Sequence, residues 1–85
     1  MEEKIKEFII RKLIRQGYMG GNKPKHTPIE NVPKGLPRSS WGEAKKVAKE
    51  MLRKNILLPY KTHHRLDVYL NVNHEKVRSL LFKWD

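Results

Sequence analysis

The chain has 85 residues, no cysteine and a formal charge of +10, with a sequence pI of about 10.1. That is enough for one small domain spanning 1–85, and it excludes disulfides and thiolate metal sites. No apolar run approaches the roughly 20 residues that cross a bilayer, and the start, MEEKIKEF, is charged from its second residue with no signal-peptide core, so the sequence reads as soluble and cytoplasmic, away from membranes.

Glu2 to Gln16 reads as a first helix. Ile5, Phe8, Ile9 and Leu13 recur at helical spacing, and Ile10 and Ile14 widen the apolar stripe until it needs cover on two sides. Glu2 and Glu3 near its start and Arg11, Lys12 and Arg15 near its end complement the helix dipole, and Gly17 suits the residue just past the end. Tyr18 to Lys25 is a loop by composition, with Gly20, Gly21, Asn22 and Pro24 as breakers and Tyr18 and Met19 tucked beneath. Thr27 to Val32 is predicted as a short helix with Thr27 as N-cap, Pro28 in the first turn and Glu30 closing a capping box, stopped by Pro33. Ile29, Val32 and Leu36 are its expected buried residues.

Ser40 to Asn55 is the central helix. Ser40 and Glu43 form a second capping box, and Trp41, Ala44, Val47, Ala48, Met51 and Leu52 lie on one face. Lys45, Lys46, Lys49 and Arg53 lie on the other. Asn55 takes the left-handed conformation that ends a helix. Ile56 to Lys61 and Leu66 to Asn71 then make a two-stranded hairpin. Pro59 marks an edge strand, Leu66, Val68 and Leu70 face inward, and Asp67, Tyr69 and Asn71 face outward. Asn73 is expected to cap a last helix, His74 to Trp84, with Val77, Leu80, Leu81 and Trp84 on its inner face.

The charge is uneven along this order. Residues 33–65 carry nine Lys or Arg against Glu43 and Glu50, a net of +7, whereas residues 66–85 sum to zero. A concentrated basic field is the electrostatic footprint of a polyanion binder; the alternative is a solubilising surface.

Helix, short capped helix, turn, basic helix, hairpin and C-terminal helix together resemble a winged helix-turn-helix domain. The resemblance rests on HTPIENVPKGLP, on GEAKKVAKEMLRKNILLP and on the hairpin HHRLDVYLN. The chain is also similar to short archaeal proteins in which a Lys-rich helix follows a P-K-G-L-P turn, a likeness that bears on fold. The implied class is α+β, mainly α, with three helices, a two-stranded hairpin wing and a C-terminal helix. Winged helices often add a short strand before the short helix, for which only Lys25-His26 is available here.

The resemblance makes residues 40–54 the recognition helix and the hairpin, residues 56–71, the wing. The nucleic-acid contacts it implies are Lys34, Arg38 and Ser39 at the approach to the helix, Lys45, Lys46, Lys49 and Arg53 along it, and Lys61, His63, His64 and Arg65 at the hairpin tip. Because the helix offers mostly Lys, contact with phosphates should outweigh base readout, and duplex DNA is favoured over RNA. RNA is the variant in which Tyr60, Tyr69 and the histidines stack on unpaired bases. Specificity would require a homodimer or a larger protein assembly. A protein-interaction module without DNA binding is the competing reading, through helix 1 and the face of Val77, Leu80, Leu81 and Trp84.

Trp41 is either a core anchor or an exposed stacking ring, and its place on the apolar stripe favours the core. Gly42 either permits close approach or is tolerated near a helix end. Adjacent His63 and His64 point to opposite sides of a hairpin and make poor co-ligands even with His26 and His74 nearby, so no metal is expected. With no Cys, no activated Ser and no paired acids, the sequence reads as a binding protein rather than an enzyme, without cofactor or small-molecule ligand.

Overall fold

The computed structural model describes residues 2–21 and 23–84, and side chains as far as residue 82. The expectations for Asn22 and for the Trp84 side chain lie outside the described residues. The fold is α+β and mainly helical, with three α-helices and a three-stranded antiparallel sheet. The elements are α1 (Glu2–Gln16), β1 (Thr27–Pro28), α2 (Trp41–Arg53), β2 (Leu57–Lys61), β3 (Leu66–Leu70) and α3 (Glu75–Trp84).

The wide stripe on α1 is a consequence of its central place. Ile5, Ile9, Ile10, Leu13 and Ile14 are all buried, and α1 packs against α2, α3 and β3. The core continues through Val32, Ala44, Val47, Ala48, Met51, Ile56, Leu57, Val68, Leu70 and Val77. A domain of this size has one core and little spare area, so each element must contribute a face.

Two helices end alike. Gly17 (φ 77°) and Asn55 (φ 63°) take the left-handed conformation. The amides of Gly17 and Tyr18 donate to the carbonyls of Ile14 and Leu13, and those of Asn55 and Ile56 to Leu52 and Met51. Both are the paired 5→2 and 6→1 bonds that satisfy the last carbonyls of a helix. After α2 the motif buries Ile56 beside Met51 and turns the chain into β2.

The sheet has one more strand than the hairpin. Its order is β1-β3-β2. Thr27 pairs with Val68 and Pro28 with Asp67, so Thr27 is a strand residue and caps nothing. The predicted short helix shrinks to a 3-10 turn at Ile29–Asn31 with no side-chain cap. The reason is competition: β3 has a second open edge, and pairing there satisfies the Thr27 backbone where a helix start would leave it open. The strand thus falls two residues later than Lys25-His26. Beyond β1, Tyr18 and Gly20 also bond to the backbone of Leu70.

From Ile29 to Ser40 the chain runs as successive i→i+3 turns, the amides of Val32, Leu36 and Ser40 donating to Ile29, Pro33 and Pro37. The last, Arg38–Ser40, leads directly into α2. Ser40 is therefore already in the right-handed region (φ −96°, ψ −4°), and its hydroxyl makes no capping bond. The expected capping box is absent because the helix has no extended residue at its start. At α3 the cap is His74 and not Asn73: its Nδ1 accepts the amide of Lys76 at 3.1 Å, while the amide of Asn73 is taken by the Asn71 side chain.

Pro59 sits in the middle of β2, opposite Val68, on a strand with an open outer edge. Among the described residues no helix is long and apolar enough to cross a membrane. The left-handed residue after α2 gives a direct check. Asn55→Ala should cost about 1 kcal/mol in urea unfolding, and Asn55→Gly should leave stability unchanged.

Candidate nucleic-acid interface

The α2 helix carries two opposed faces. Ala44, Val47, Ala48 and Met51 are buried. Lys45, Lys46, Lys49 and Arg53, with Gly42, are exposed on the other side. A Cβ added at Gly42 would meet nothing within 4 Å, so no packing within the domain requires that glycine. Arg53 donates to both carboxylate oxygens of Glu50, with Lys54 3.6 Å from one of them. The hydrogen bond from Arg53 lowers the Glu50 pKa and raises that of Arg53. Arg53 is thereby partly neutralised. Lys45, Lys46 and Lys49 form no ion pair or hydrogen bond among the described residues. Lys45 and Lys49 border a shallow depression with Ile29 and Glu30, which joins the helix face to the preceding turns.

Those turns are held by Lys12, whose place in the last turns of α1 suggests only a partner for the helix dipole. The Lys12 ammonium donates to the carbonyls of Asn31 (2.6 Å), Val32 (3.1 Å) and Lys34 (2.6 Å). Burial, and secondarily the charge of Lys34, lowers the Lys12 pKa. Its ammonium replaces the backbone ladder that a regular helix at Thr27–Val32 would have supplied. Gly35 (φ 105°) lies under Phe8, where a Cβ would stand 3.1 Å from the ring. Trp41 is half-buried: its indole N–H donates to the carbonyl of Leu36 at 2.8 Å, and the Arg38 guanidinium lies 5.6 Å from its ring centroid. Lys34, Arg38 and Ser39 are thus presented on an anchored, exposed stretch.

The hairpin tip is the second group. Thr62 closes it, its amide and hydroxyl donating to the Arg65 carbonyl while its Oγ accepts the Arg65 amide. Lys61, His63 and His64 are exposed, the two imidazoles 6.2 Å apart and tilted. Arg65 is engaged: Nε donates to Asp67 at 2.8 Å. No hydrogen bond, ion pair or ring contact joins the tip to the α2 group among the described residues. No cluster with metal-ligand character occurs among the described residues.

Asp67 corrects the sequence reading most sharply. Alternation places it outward, yet it is fully buried. His26 donates from Nδ1 to its other oxygen at 2.6 Å, and the His26 ring stacks on Tyr60 at 3.8 Å and 12°. Burial raises the Asp67 pKa, but the hydrogen bonds from His26 and Arg65 outweigh it and the net shift is downward. The cover is one layer of rings, so this burial is shallow.

Comparison with protein-family models, with curated proteins and with solved structures finds no match.

Two outcomes follow from these contacts. Lys12→Met keeps the aliphatic stem but leaves three carbonyls without their donor, and should lower stability by about 1–3 kcal/mol in urea unfolding. Asp67 titrates lower folded than unfolded, where the value is about 3.9. Its stabilisation is therefore present above that pH and is lost as pH falls through the folded value. Asp67→Ala should cost about 2 kcal/mol at neutral pH and flatten the acid limb of a stability-against-pH profile.

Proposed function

We propose that the chain is a nucleic-acid-binding module of winged-helix type that holds duplex DNA through α2 and the hairpin loop. The observation that carries the reading is the exposed row Lys45, Lys46 and Lys49, with no acidic partner among the described residues, on a helix whose opposite face is fixed in the core. Lysines presented from a rigid element suit phosphates, which attract charge without demanding a fork geometry. The element order supports the same reading. A first helix, a short strand, a turn, a basic helix and a hairpin, with sheet order β1-β3-β2, are in keeping with a winged helix. The reduced first helix of the helix-turn-helix is the departure, and the Lys12 anchor supplies the missing support. Lys34, Arg38 and Ser39 add contacts at the start of α2, and Lys61, His63, His64 and Arg65 flank it from the loop. Arg53 and Arg65 contribute less, since each already serves a carboxylate. The site is a binding surface without catalytic chemistry, metal or cofactor.

A protein-interaction reading has one observation in its favour: Phe82 on α3 is 73% exposed. It predicts self-association or a partner at α3, and no loss when α2 is altered.

Fluorescence anisotropy with random-sequence duplex DNA, single-stranded RNA and heparin, each at two salt concentrations, separates the readings. Duplex DNA should bind more tightly than heparin at matched charge. Lys45→Glu, Lys46→Glu and Lys49→Glu together should abolish duplex binding and leave the thermal midpoint nearly unchanged. The single charge removals Lys45→Gln, Lys46→Gln and Lys49→Gln should each flatten the log–log salt slope by about 1. Equal binding to heparin would reduce the surface to a general polyanion patch.

A further inference from the structure

Side chains alternate along a strand, and residues paired across a sheet share a face. Tyr60 pairs with Asp67, and Leu58 with Tyr69. On the other side Pro28 pairs with Asp67, so His26, two residues earlier, extends the same face. This face looks away from the core residues Val68, Leu70 and Leu57. An outward sheet face in a protein this basic would ordinarily be polar. Here it carries two tyrosines, an imidazole and a leucine.

The rings are organised. His26 and Tyr60 reach from the two flanking sides of β3 and stack above Asp67. One face of the Tyr60 ring is covered by His26. The residue is still 41% exposed, on an edge strand with no strand beyond it, and no second ring stacks on it among the described residues. Its position is locked by the imidazole beneath, and the imidazole by Asp67. A carboxylate only accepts, so His26 Nδ1 carries the proton of the 2.6 Å bond. Nε2 has no partner among the described residues and is not buried; it faces solvent in a fixed orientation. Arg65 holds Asp67 through Nε and Nη2, with its side chain 53% exposed and Nη1 turned to no partner among the described residues.

We infer that this outer sheet face, separate from the α2 surface, binds unpaired nucleotides of a single-stranded nucleic acid, one base stacking on Tyr60 and its phosphate meeting the Nη1 side of Arg65. An aromatic ring with a cation beside it matches a nucleotide, which is a flat π-system joined to an anion. A peptide partner would need apolar pockets or an open edge, and Pro59 interrupts the edge. The Asp67 charge lies beneath the rings and is matched by Arg65, so it does not repel the phosphate. His26 Nε2 offers a further hydrogen bond to a base edge or to the phosphate.

The test is anisotropy of labelled oligothymidine, oligouridine and a short duplex with the full chain and three variants. Tyr60→Leu keeps an apolar cover over Asp67 and removes the π-face; it should weaken both single strands about tenfold and leave the duplex unchanged. Tyr60→Phe should bind as the unaltered chain does. The triple reversal at Lys45, Lys46 and Lys49 should retain single-strand binding. The inference is overturned if Tyr60→Leu binds oligothymidine normally, if Tyr60→Phe loses as much as Tyr60→Leu, or if the α2 reversal alone removes single-strand binding. Amide shift changes on adding oligothymidine to the unaltered chain locate the site without any variant. Shifts at Tyr60, Arg65 and Asp67 support it, and shifts confined to α2 refute it. Loss of duplex binding in the α2 variant bears on the duplex reading alone.

Discussion

Ile9, Ile10 and Leu13 retain almost no accessible surface, and three elements are needed to cover them. Burying each such side chain is worth about 1.5–3 kcal/mol, and α1 buries five residues of that kind. The constraint propagates outward. Because α1 occupies the centre, α2 must lie against it with its Ala44–Val47–Ala48–Met51 face, and the lysines of α2 have nowhere to go but solvent. The candidate interface is therefore a by-product of how the core is filled. Its rigidity comes from the same contacts.

A second level of order lies in polar groups that do backbone work. Lys12 on three carbonyls and Trp41 on the Leu36 carbonyl hold a stretch whose own turns are short. Asn71 donates to the Asn55 carbonyl at 2.9 Å and ties the end of β3 to the end of α2. Asp67 gathers His26 and Arg65 across the sheet. Lys12, Asn71 and His26 join segments far apart in sequence, Trp41 acts over five residues, and together they secure irregular pieces of chain that propensity alone would leave loose.

Where periodicity was strong, the sequence was readable. The bounds of α1, the buried face of α2, the left-handed Asn55 and the edge position of Pro59 all follow from local pattern. The misreadings come where a neighbouring element competes with a local signal. Thr27 carries a good capping pattern, but β3 had an edge to fill. Ser40 carries another, but a 3-10 turn ran into it. Asp67 alternates outward, but rings from its neighbours closed over it. At Thr27 and Asp67 a partner distant in sequence overrode a local preference, and at Ser40 the preceding turn did. The basic row on α2 could be read from spacing and charge. Tyr60 could be named as a stacking ring, but the Lys12 anchor and the contact of His26 with Asp67 and Tyr60 could not, because they depend on turn and strand geometry that no spacing encodes. One hint was present: a carboxylate in a strand beside aromatic and basic residues is a candidate for enclosure.

Pro59 has a consequence for how this chain behaves at high concentration. A bare outer strand is a template on which a second molecule can add its own, and small sheets lengthen into fibres by that route. Proline at the middle of a five-residue strand brings no amide hydrogen, so an incoming strand meets a gap halfway along. The sheet is thus guarded against growth at the edge nearest its exposed tyrosine.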